Sequence, residues 1–128
     1  MANHCIPLYR PGADITAQTT AAVTGKTFVD VSGPVNPVDG TLLRVAPCAA
    51  GAKALGVAVR DAANGARVAV ITGSGHVVPV TCAAAITAGQ EIEVGAGGKA
   101  AVLASGKAVG RAWSTTTAAN ADVFVELY

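Results

Sequence analysis

The chain has 128 residues, enough for one ordinary domain but not for two independent cores. Hydrophobic residues supply 52% of it and charged residues 13%, and nine basic and eight acidic side chains give a net charge of +1. This composition argues against a disordered chain and against nucleic acid as the main partner, which needs a concentrated positive field. Because few charges hydrate the surface, we expect other subunits to cover part of it.

The N-terminal segment, residues 1–13, is predicted to form an extended arm. Pro7 and Pro11 lack a backbone donor and push the residue before each of them toward an extended conformation. No periodic apolar stripe in this segment would hold it on a core. The remainder of the chain, residues 14–128, is expected to form a single β domain.

Beyond the arm, short runs typical of β-strands alternate with turn residues. Runs of about 4 to 7 residues that recur every 8 to 12 indicate a compact all-β fold, a barrel or a sandwich. The predicted strands are residues 15–23, 27–32, 41–46, 54–60, 66–72, 76–81, 91–94, 99–103, 107–113 and 122–128.

Three local features refine this prediction. The Asn64-Gly65 pair favours a hairpin turn, because both residues tolerate positive φ. Residues 82–88 could make one helical turn, which Gly89 would end. Pro79 lies inside the run 76–81, and a proline cannot donate a hydrogen bond from the middle of a sheet. This strand is therefore predicted to lie at an edge, or to meet a neighbouring subunit through side chains alone.

The sequence also contains an internal repeat. Residues 50–59 (AGAKALGVAV) and 104–113 (ASGKAVGRAW) match at five of ten positions. Downstream, the Ala-Ala-Asn of 62–64 parallels that of 118–120, and upstream we align the segment that ends in 42–45 with the one that ends in 91–94. The chain is therefore predicted to hold two copies of a strand–loop–strand–hairpin unit that together close one barrel.

Groups that could carry catalysis are few. Ser74, His76 and Asp61 could in principle serve as nucleophile, base and orienting acid, but Ser74 and His76 lie two residues apart in a glycine-flanked turn. No nucleophile elbow of the GxSxG type is present. Glu91 and Glu93 share a strand face, where paired carboxylates are usually solvated. The sequence therefore predicts that the protein is not an enzyme.

The cysteines and histidines do not form a metal-binding pattern. His4 and Cys5 are adjacent and point to opposite faces of an extended segment, and His76 and Cys82 lack further ligands at a usual spacing. Glycine-rich turns such as 73–75 lack the features of a phosphate loop. We expect no metal and no cofactor.

The three cysteines, Cys5, Cys48 and Cys82, form no CxxC pair and predict buried free thiols in a protein made in a reducing cytoplasm. No targeting segment and no run of about 18 apolar residues is visible, so we expect no membrane partner. Trp113 and Phe124 are interpreted as core or interface anchors. The candidate subunit-interface residues are Val78, Pro79, Val80 and Trp113.

The order of motifs resembles a known family. Tyr9–Gly12 is followed by Val-Thr-Gly-Lys at 23–26, a glycine-rich GVAV segment at 51–59 and Ala-Asn-Gly-x-x-Val at 63–68. Ile-Thr-Ala-Gly-Gln at 86–90, Gly-Lys-Ala-Val-Gly-Arg-Ala and a terminal Val-x-Val-x-Leu complete the series. This order is similar to that of the tailed-bacteriophage capsid decoration, or cement, proteins of the DUF2190 type.

The resemblance implies a β-barrel or sandwich subunit without a catalytic centre. It implies a homotrimer, made in the host cytoplasm, that sits on the outer surface of the phage head and bridges neighbouring major capsid proteins. An extended arm suits β-strand addition to a capsid strand. The alternative is another virion β-domain, such as a spike, a tail component or a carbohydrate-binding module for the host surface. The candidate capsid-binding residues of the arm are Ile6, Pro7, Leu8, Tyr9, Arg10 and Pro11.

Overall fold

A computed structural model of the protein describes residues 14–36 and 42–128, which form ten β-strands and one short 3-10 turn, Ala96–Gly98. The predicted arm, with its candidate capsid-binding residues, lies outside these ranges. The strands are β1 (Asp14–Thr19), β2 (Phe28–Asn36), β3 (Leu42–Pro47), β4 (Gly56–Ala58), β5 (Arg67–Ile71), β6 (Val77–Thr81), β7 (Glu91–Val94), β8 (Ala100–Val102), β9 (Gly110–Ala112) and β10 (Asp122–Leu127).

The all-β prediction is confirmed, and each predicted run overlaps one strand. One local prediction is wrong, and one holds for the hairpin but not for its turn. Residues 82–88 form no helical turn, because Cys82 and Ile86 are held in single β-bridges to Ala100 and Thr116. The hairpin predicted at Asn64-Gly65 is present, since β4 and β5 on either side of it pair antiparallel. Only Gly65 has positive φ, at 84°, so the connection does not have the positive φ at both residues that a two-residue type I′ turn requires.

The first five strands close into a barrel in the order β1-β3-β2-β4-β5. Neighbouring strands are antiparallel except β1 and β3, which pair in parallel through Ala17, Gln18 and Thr19. The last five strands form a second sheet in the order β6-β10-β9-β7-β8. A single parallel bridge between Cys82 and Ala100 joins the two edges of this sheet. The edge position predicted for β6 from Pro79 is confirmed.

The two sheets are copies of one topology, which confirms the internal repeat. Strands β6 to β10 neighbour one another as β1 to β5 do, with the Cys82–Ala100 bridge at the place of the parallel β1–β3 pair. Each copy builds its own sheet, so the expectation that both copies close a single barrel is wrong. The alignment of 42–45 with 91–94 is also wrong, because β3 corresponds to β8 and β7 corresponds to β2.

Equivalent backbone positions in the repeat make the same hydrogen bonds with different residues. Gly65 donates its N–H to the carbonyl of Thr19, and Asn120 donates its N–H to the carbonyl of Cys82. Both Gly65 and Asn120 have positive φ, at 84° and 67°. Glycine and asparagine are the residues that best tolerate this conformation. The two copies therefore share the same backbone conformation at this position although their residues differ.

The core has two parts that share one wall. Val29 and Ala58 face the interior of the barrel, whereas Phe28 and Val57, their neighbours on the same strands, pack into the core of the second sheet. All four are buried. The start of β2 and the whole of β4 are therefore apolar on both faces, as expected of strands covered on both sides.

The free thiols of Cys48 and Cys82 are buried, as the sequence predicted. Cys82 lies at the position of Thr19 in the repeat. The Thr19 hydroxyl donates to the carbonyl of Ala63 at 2.6 Å, and the Cys82 thiol donates to the equivalent carbonyl of Ala118 at 3.2 Å. Cys82 thus serves as a small buried donor.

Equivalent glycines permit the close approach of neighbouring antiparallel strands in both copies. A Cβ at Gly56 would overlap the carbonyl oxygen of Ile71, and one at Gly110 would lie 2.5 Å from the carbonyl oxygen of Glu126. Because overpacking typically costs about 1–3 kcal/mol, we expect Gly56→Ala to lower the free energy of unfolding by about 2 kcal/mol.

The matched control for Gly56→Ala is Gly33→Ala, since a Cβ at Gly33 would meet only the Arg44 side chain, at 3.2 Å. We expect Gly33→Ala to cost less than about 1 kcal/mol. Denaturant unfolding monitored by circular dichroism measures both variants. Equal stability of Gly56→Ala and the parent would contradict the close approach of β4 and β5 at Gly56.

Burial, with a smaller contribution from Asp30, raises the pKa of Cys48 from 9.0 to about 11. The thiol is therefore neutral in the folded protein at pH 8, and thiolate is the reactive form. We expect iodoacetamide at pH 8 to leave Cys48 unlabelled until the protein unfolds, as measured by peptide mass spectrometry, with protein in guanidinium as the labelled control. The stability linked to this thiol should be constant below pH 9 and be lost as the pH rises toward 11. Rapid labelling of folded protein would refute this.

Candidate functional site

Two exposed aromatic side chains, Trp113 and Phe124, lie on the outer face of the second sheet. Along β10, Val123, Val125 and Leu127 are buried while Phe124 between them is 52% exposed. This alternation follows from the two-residue period of a strand. One face of β10 therefore belongs to the core and the other is presented to solvent.

Three apolar residues form a row across this face. Phe124 is paired with Pro79 of β6 in the register of β10 and β6. On its other side, the N–H of Trp113, directly after β9, donates to the carbonyl of Phe124 at 2.8 Å. Trp113 is 58% exposed, and Pro79 is exposed as well. We call Pro79, Phe124 and Trp113 the apolar row.

The carboxylate of Glu126 is bonded to Trp113, which lies at one end of the apolar row. One oxygen of Glu126, Oε1, accepts a hydrogen bond from Trp113 Nε1 at 2.9 Å and a charge-assisted one from Arg111 Nη2 at 3.0 Å. These two donors, Trp113 first and Arg111 second, lower the pKa of Glu126. The indole is thereby fixed in orientation while its ring faces solvent.

The other side of the row is bordered by a second ion pair. Lys26 Nζ lies 2.7 Å from Asp122 Oδ2, and the Thr81 hydroxyl donates to Asp122 Oδ1 at 3.4 Å. Further along the face, the Tyr128 hydroxyl donates to Glu91 Oε2 at 3.1 Å. The apolar row is thus framed by polar groups that already have partners within the face.

The structure divides the four predicted interface residues. Val78 and Val80 are buried and belong to the core of the second sheet, whereas Pro79 and Trp113 point outward. Phe124, interpreted from sequence only as a core or interface anchor, lies between the two exposed residues. The alternation of residues within β10 is enough to predict that Phe124 is exposed. Its position between Pro79 and Trp113 could not be predicted from the sequence, because it depends on the strand order.

His76 and Asp61, two of the groups considered for catalysis, each contact backbone atoms. His76 Nδ1 lies 3.2 Å from the carbonyl oxygen of Gly73, and Asp61 accepts a hydrogen bond from the N–H of Gly25 at 2.8 Å. Neither side chain orients the other. Glu93 accepts hydrogen bonds from the N–H groups of Ala104 and Gly106, so it fixes a loop.

Within residues 14–36 and 42–128, no group of His, Cys, Asp and Glu has the arrangement of a metal site. In the same part of the chain, no helix has the length and apolarity that crossing a membrane requires.

A cavity of about 220 Å³ lies between the barrel and the second sheet. Repeat-equivalent residues line it in pairs, Ala54 with Ala108 and Leu55 with Val109. Its ionisable lining side chains are Lys53 and Tyr128. This set combines no nucleophile with a neighbouring base, so the cavity offers no recognisable reaction chemistry.

Comparison with known proteins gives two findings. The sequence model of a family described as phage cement protein matches residues 9–127. The head fiber gp8.5 N base of bacteriophage phi29, known from a crystal structure, is similar to this chain with a TM-score of 0.73 and 17% sequence identity, over 90% of this chain and 92% of that chain. At this identity the likeness shows a shared fold. No curated protein matches the sequence.

Because Trp113 is the sole tryptophan, its fluorescence should report the protonation of Glu126. The lowered pKa means that the carboxylate keeps its two donors at neutral pH and loses them only as the pH falls below the ordinary value of 4.5. We expect an emission change with a midpoint below pH 4.5, and no such change in Glu126→Gln. A midpoint at or above 4.5 that persists in Glu126→Gln would contradict this geometry.

Proposed function

The chain belongs to the phage cement protein family, and we propose that it decorates the outer surface of a phage head and stabilises contacts between major capsid proteins. Family membership makes it a virion structural protein. The observation that carries the finer proposal is the extent of the family match, which spans nearly the whole chain, including the end of the predicted arm from Tyr9.

The proposed partner is the major capsid protein, and the proposed contact is the arm, through residues 6–11. An extended segment with unpaired backbone groups can add to the edge of a capsid strand. The protein is proposed to act as a homotrimer. Tying three modest contacts together makes the overall attachment much stronger than any one of them, because the second and third contacts become intramolecular.

The chemistry of the described residues supports a role in contact rather than in turnover. The ionisable side chains discussed above, Glu126, Asp122, Asp61 and Glu93, are bonded to neighbouring side chains or to loop backbone. What the second sheet exposes is an apolar row framed by paired charges. Such a surface suits broad binding and offers no group poised for proton transfer.

The alternative function is that of a virion β-domain that binds carbohydrate on the host surface. One observation favours it: Trp113 and Phe124 are about half exposed, with the carboxylate of Glu126 beside the indole. Binding to heads and binding to glycans are separate measurements, so the two functions can be distinguished directly.

The test of the proposed function is co-sedimentation of the purified protein with expanded heads that lack it. We expect the full chain to bind and to raise the temperature at which heads release DNA. Deleting residues 2–13 should abolish binding, because the arm is the proposed anchor, while leaving the circular dichroism spectrum and the unfolding transition unchanged.

The matched control replaces residues 2–13 by a glycine-serine segment of equal length, which keeps the spacing and removes the side chains. It should also fail to bind. Normal binding of the deletion would refute the arm as anchor, and failure of the full chain to bind any head would refute the capsid role itself.

A further inference from the structure

The connection between β4 and β5 contains an exposed asparagine followed by a glycine in a four-residue turn. The N–H of Ala66 donates to the carbonyl of Ala63 at 3.1 Å, and Gly65 has a φ of 84°. A positive φ at the third residue alone is typical of a type II turn, which favours glycine there. Asn64, the second residue, is exposed, and its side chain makes no hydrogen bond within residues 14–36 and 42–128.

This pair of residues has a chemistry of its own. Asparagine is a chemically labile residue, and glycine after it allows the closest attack by the backbone nitrogen, because glycine has no Cβ. The Gly65 nitrogen bonds to Asn64 Cγ, and the side-chain nitrogen leaves with the Gly65 amide proton as ammonia. The cyclic imide that remains takes up one water molecule and opens at either carbonyl, to aspartate or to isoaspartate. Solvent water is the only co-reactant.

The end of β1 holds the turn in a geometry that opposes this reaction. The N–H of Gly65, which must lose its proton, donates to the carbonyl of Thr19 at 3.1 Å. The buried Thr19 hydroxyl donates to the carbonyl of Ala63 at 2.6 Å, and the Thr19 N–H donates to that of Ala66 at 2.9 Å. Gln18 Nε2 donates to the carbonyl of Gly65 at 3.1 Å. Every residue of the turn except the asparagine is therefore bonded to β1.

The second copy of the repeat shows that the fold does not need the reactive pair. Asn120 is the equivalent of Gly65, and its N–H makes the same bond, to the carbonyl of Cys82 at 2.8 Å. The residue before it is Ala119, and the residue after it is Ala121, whose Cβ hinders attack on the Asn120 amide. The same turn is thus built without an asparagine at its second position.

We propose that Asn64 is a modification site, which deamidates through Gly65 when the turn opens and is protected while β1 holds the turn closed. The inference concerns the isolated chain and does not rest on head binding. Local opening of a turn requires less free energy than global unfolding. The rate of deamidation in the folded protein therefore reports the fraction of time for which the turn is open.

The modification alters the turn in two ways. The new carboxylate adds one negative charge, which changes the net charge of the chain from +1 to 0. In isoaspartate the side-chain methylene becomes part of the main chain, so the backbone between positions 64 and 65 is one bond longer. The Gly65 N–H then no longer meets the Thr19 carbonyl as it does in the intact turn, and the attachment of the turn to β1 is weakened.

Peptide mass spectrometry with separation of aspartate from isoaspartate measures the reaction. Trypsin releases residues 61–67 as one peptide, since Arg60 precedes it and Arg67 ends it. We expect the chain unfolded in guanidinium at pH 8 to convert Asn64 at the rate of the synthetic peptide 61–67 in the same solvent, mainly to isoaspartate. The folded protein should react at least tenfold more slowly. Asn120 is the internal control and should stay largely unchanged.

Variants of β1 test the protecting contacts. Thr19→Val removes the hydroxyl with little change of volume, and Gln18→Ala removes the bond to the Gly65 carbonyl. Each should raise the deamidation rate of the folded protein at least threefold while the circular dichroism spectrum stays unchanged. Thr20→Val is the matched control, since the Thr20 hydroxyl contacts Ser32 and not the turn. It should deamidate like the parent.

Gln18→Ala decides the result where Thr19→Val fails to fold, because the Gln18 side chain is only partly buried. Asn64→Ala should abolish the modification and keep the fold. The inference is overturned if the unfolded chain leaves Asn64 intact, if the folded parent reacts as fast as the free peptide, or if neither folded β1 variant changes the rate. All of these outcomes are measured without heads, so they differ from failure of the proposed head binding.

Discussion

The wall shared by the two sheets is the constraint on which the structure depends. The side chains of Phe28 and Val57 pack in the core of the second sheet, whereas those of Val29 and Ala58, on the same strands, pack inside the barrel. A chain this small, with few aromatic residues, gains enough burial only by using both faces of these strands. The wall also fixes the second sheet to the barrel, and with it the face that carries the apolar row.

The strands could be predicted from the sequence because they are a local property, and the repeat because two segments of the sequence can be aligned with each other. Alternation, turn residues and Pro79 as an edge marker are visible within a few positions. The division into a closed barrel and a separate second sheet was not predictable in this way. It follows from the parallel pairing of β1 with β3, between residues that are distant in the sequence.

The candidate site shows the same limit. Trp113 and Pro79 were identified by residue type, whereas Val78 and Val80, chosen with them, lie in the core because strand residues alternate. That Phe124 completes the row, and that Glu126 holds the indole, required the neighbours of β10 to be known. Contacts across strands of different hairpins are set by topology rather than by spacing along the chain.

The blocked edge at β6 has a consequence for the size of any assembly. Open strand edges polymerise without limit, because every added strand exposes another one. Here a missing donor at Pro79 and the N–H of Thr81, already bonded to the carbonyl of Lys26 at 2.9 Å, remove that template. Growth by strand addition is therefore disfavoured at this edge, and with it the open-ended stacking that leads to fibres.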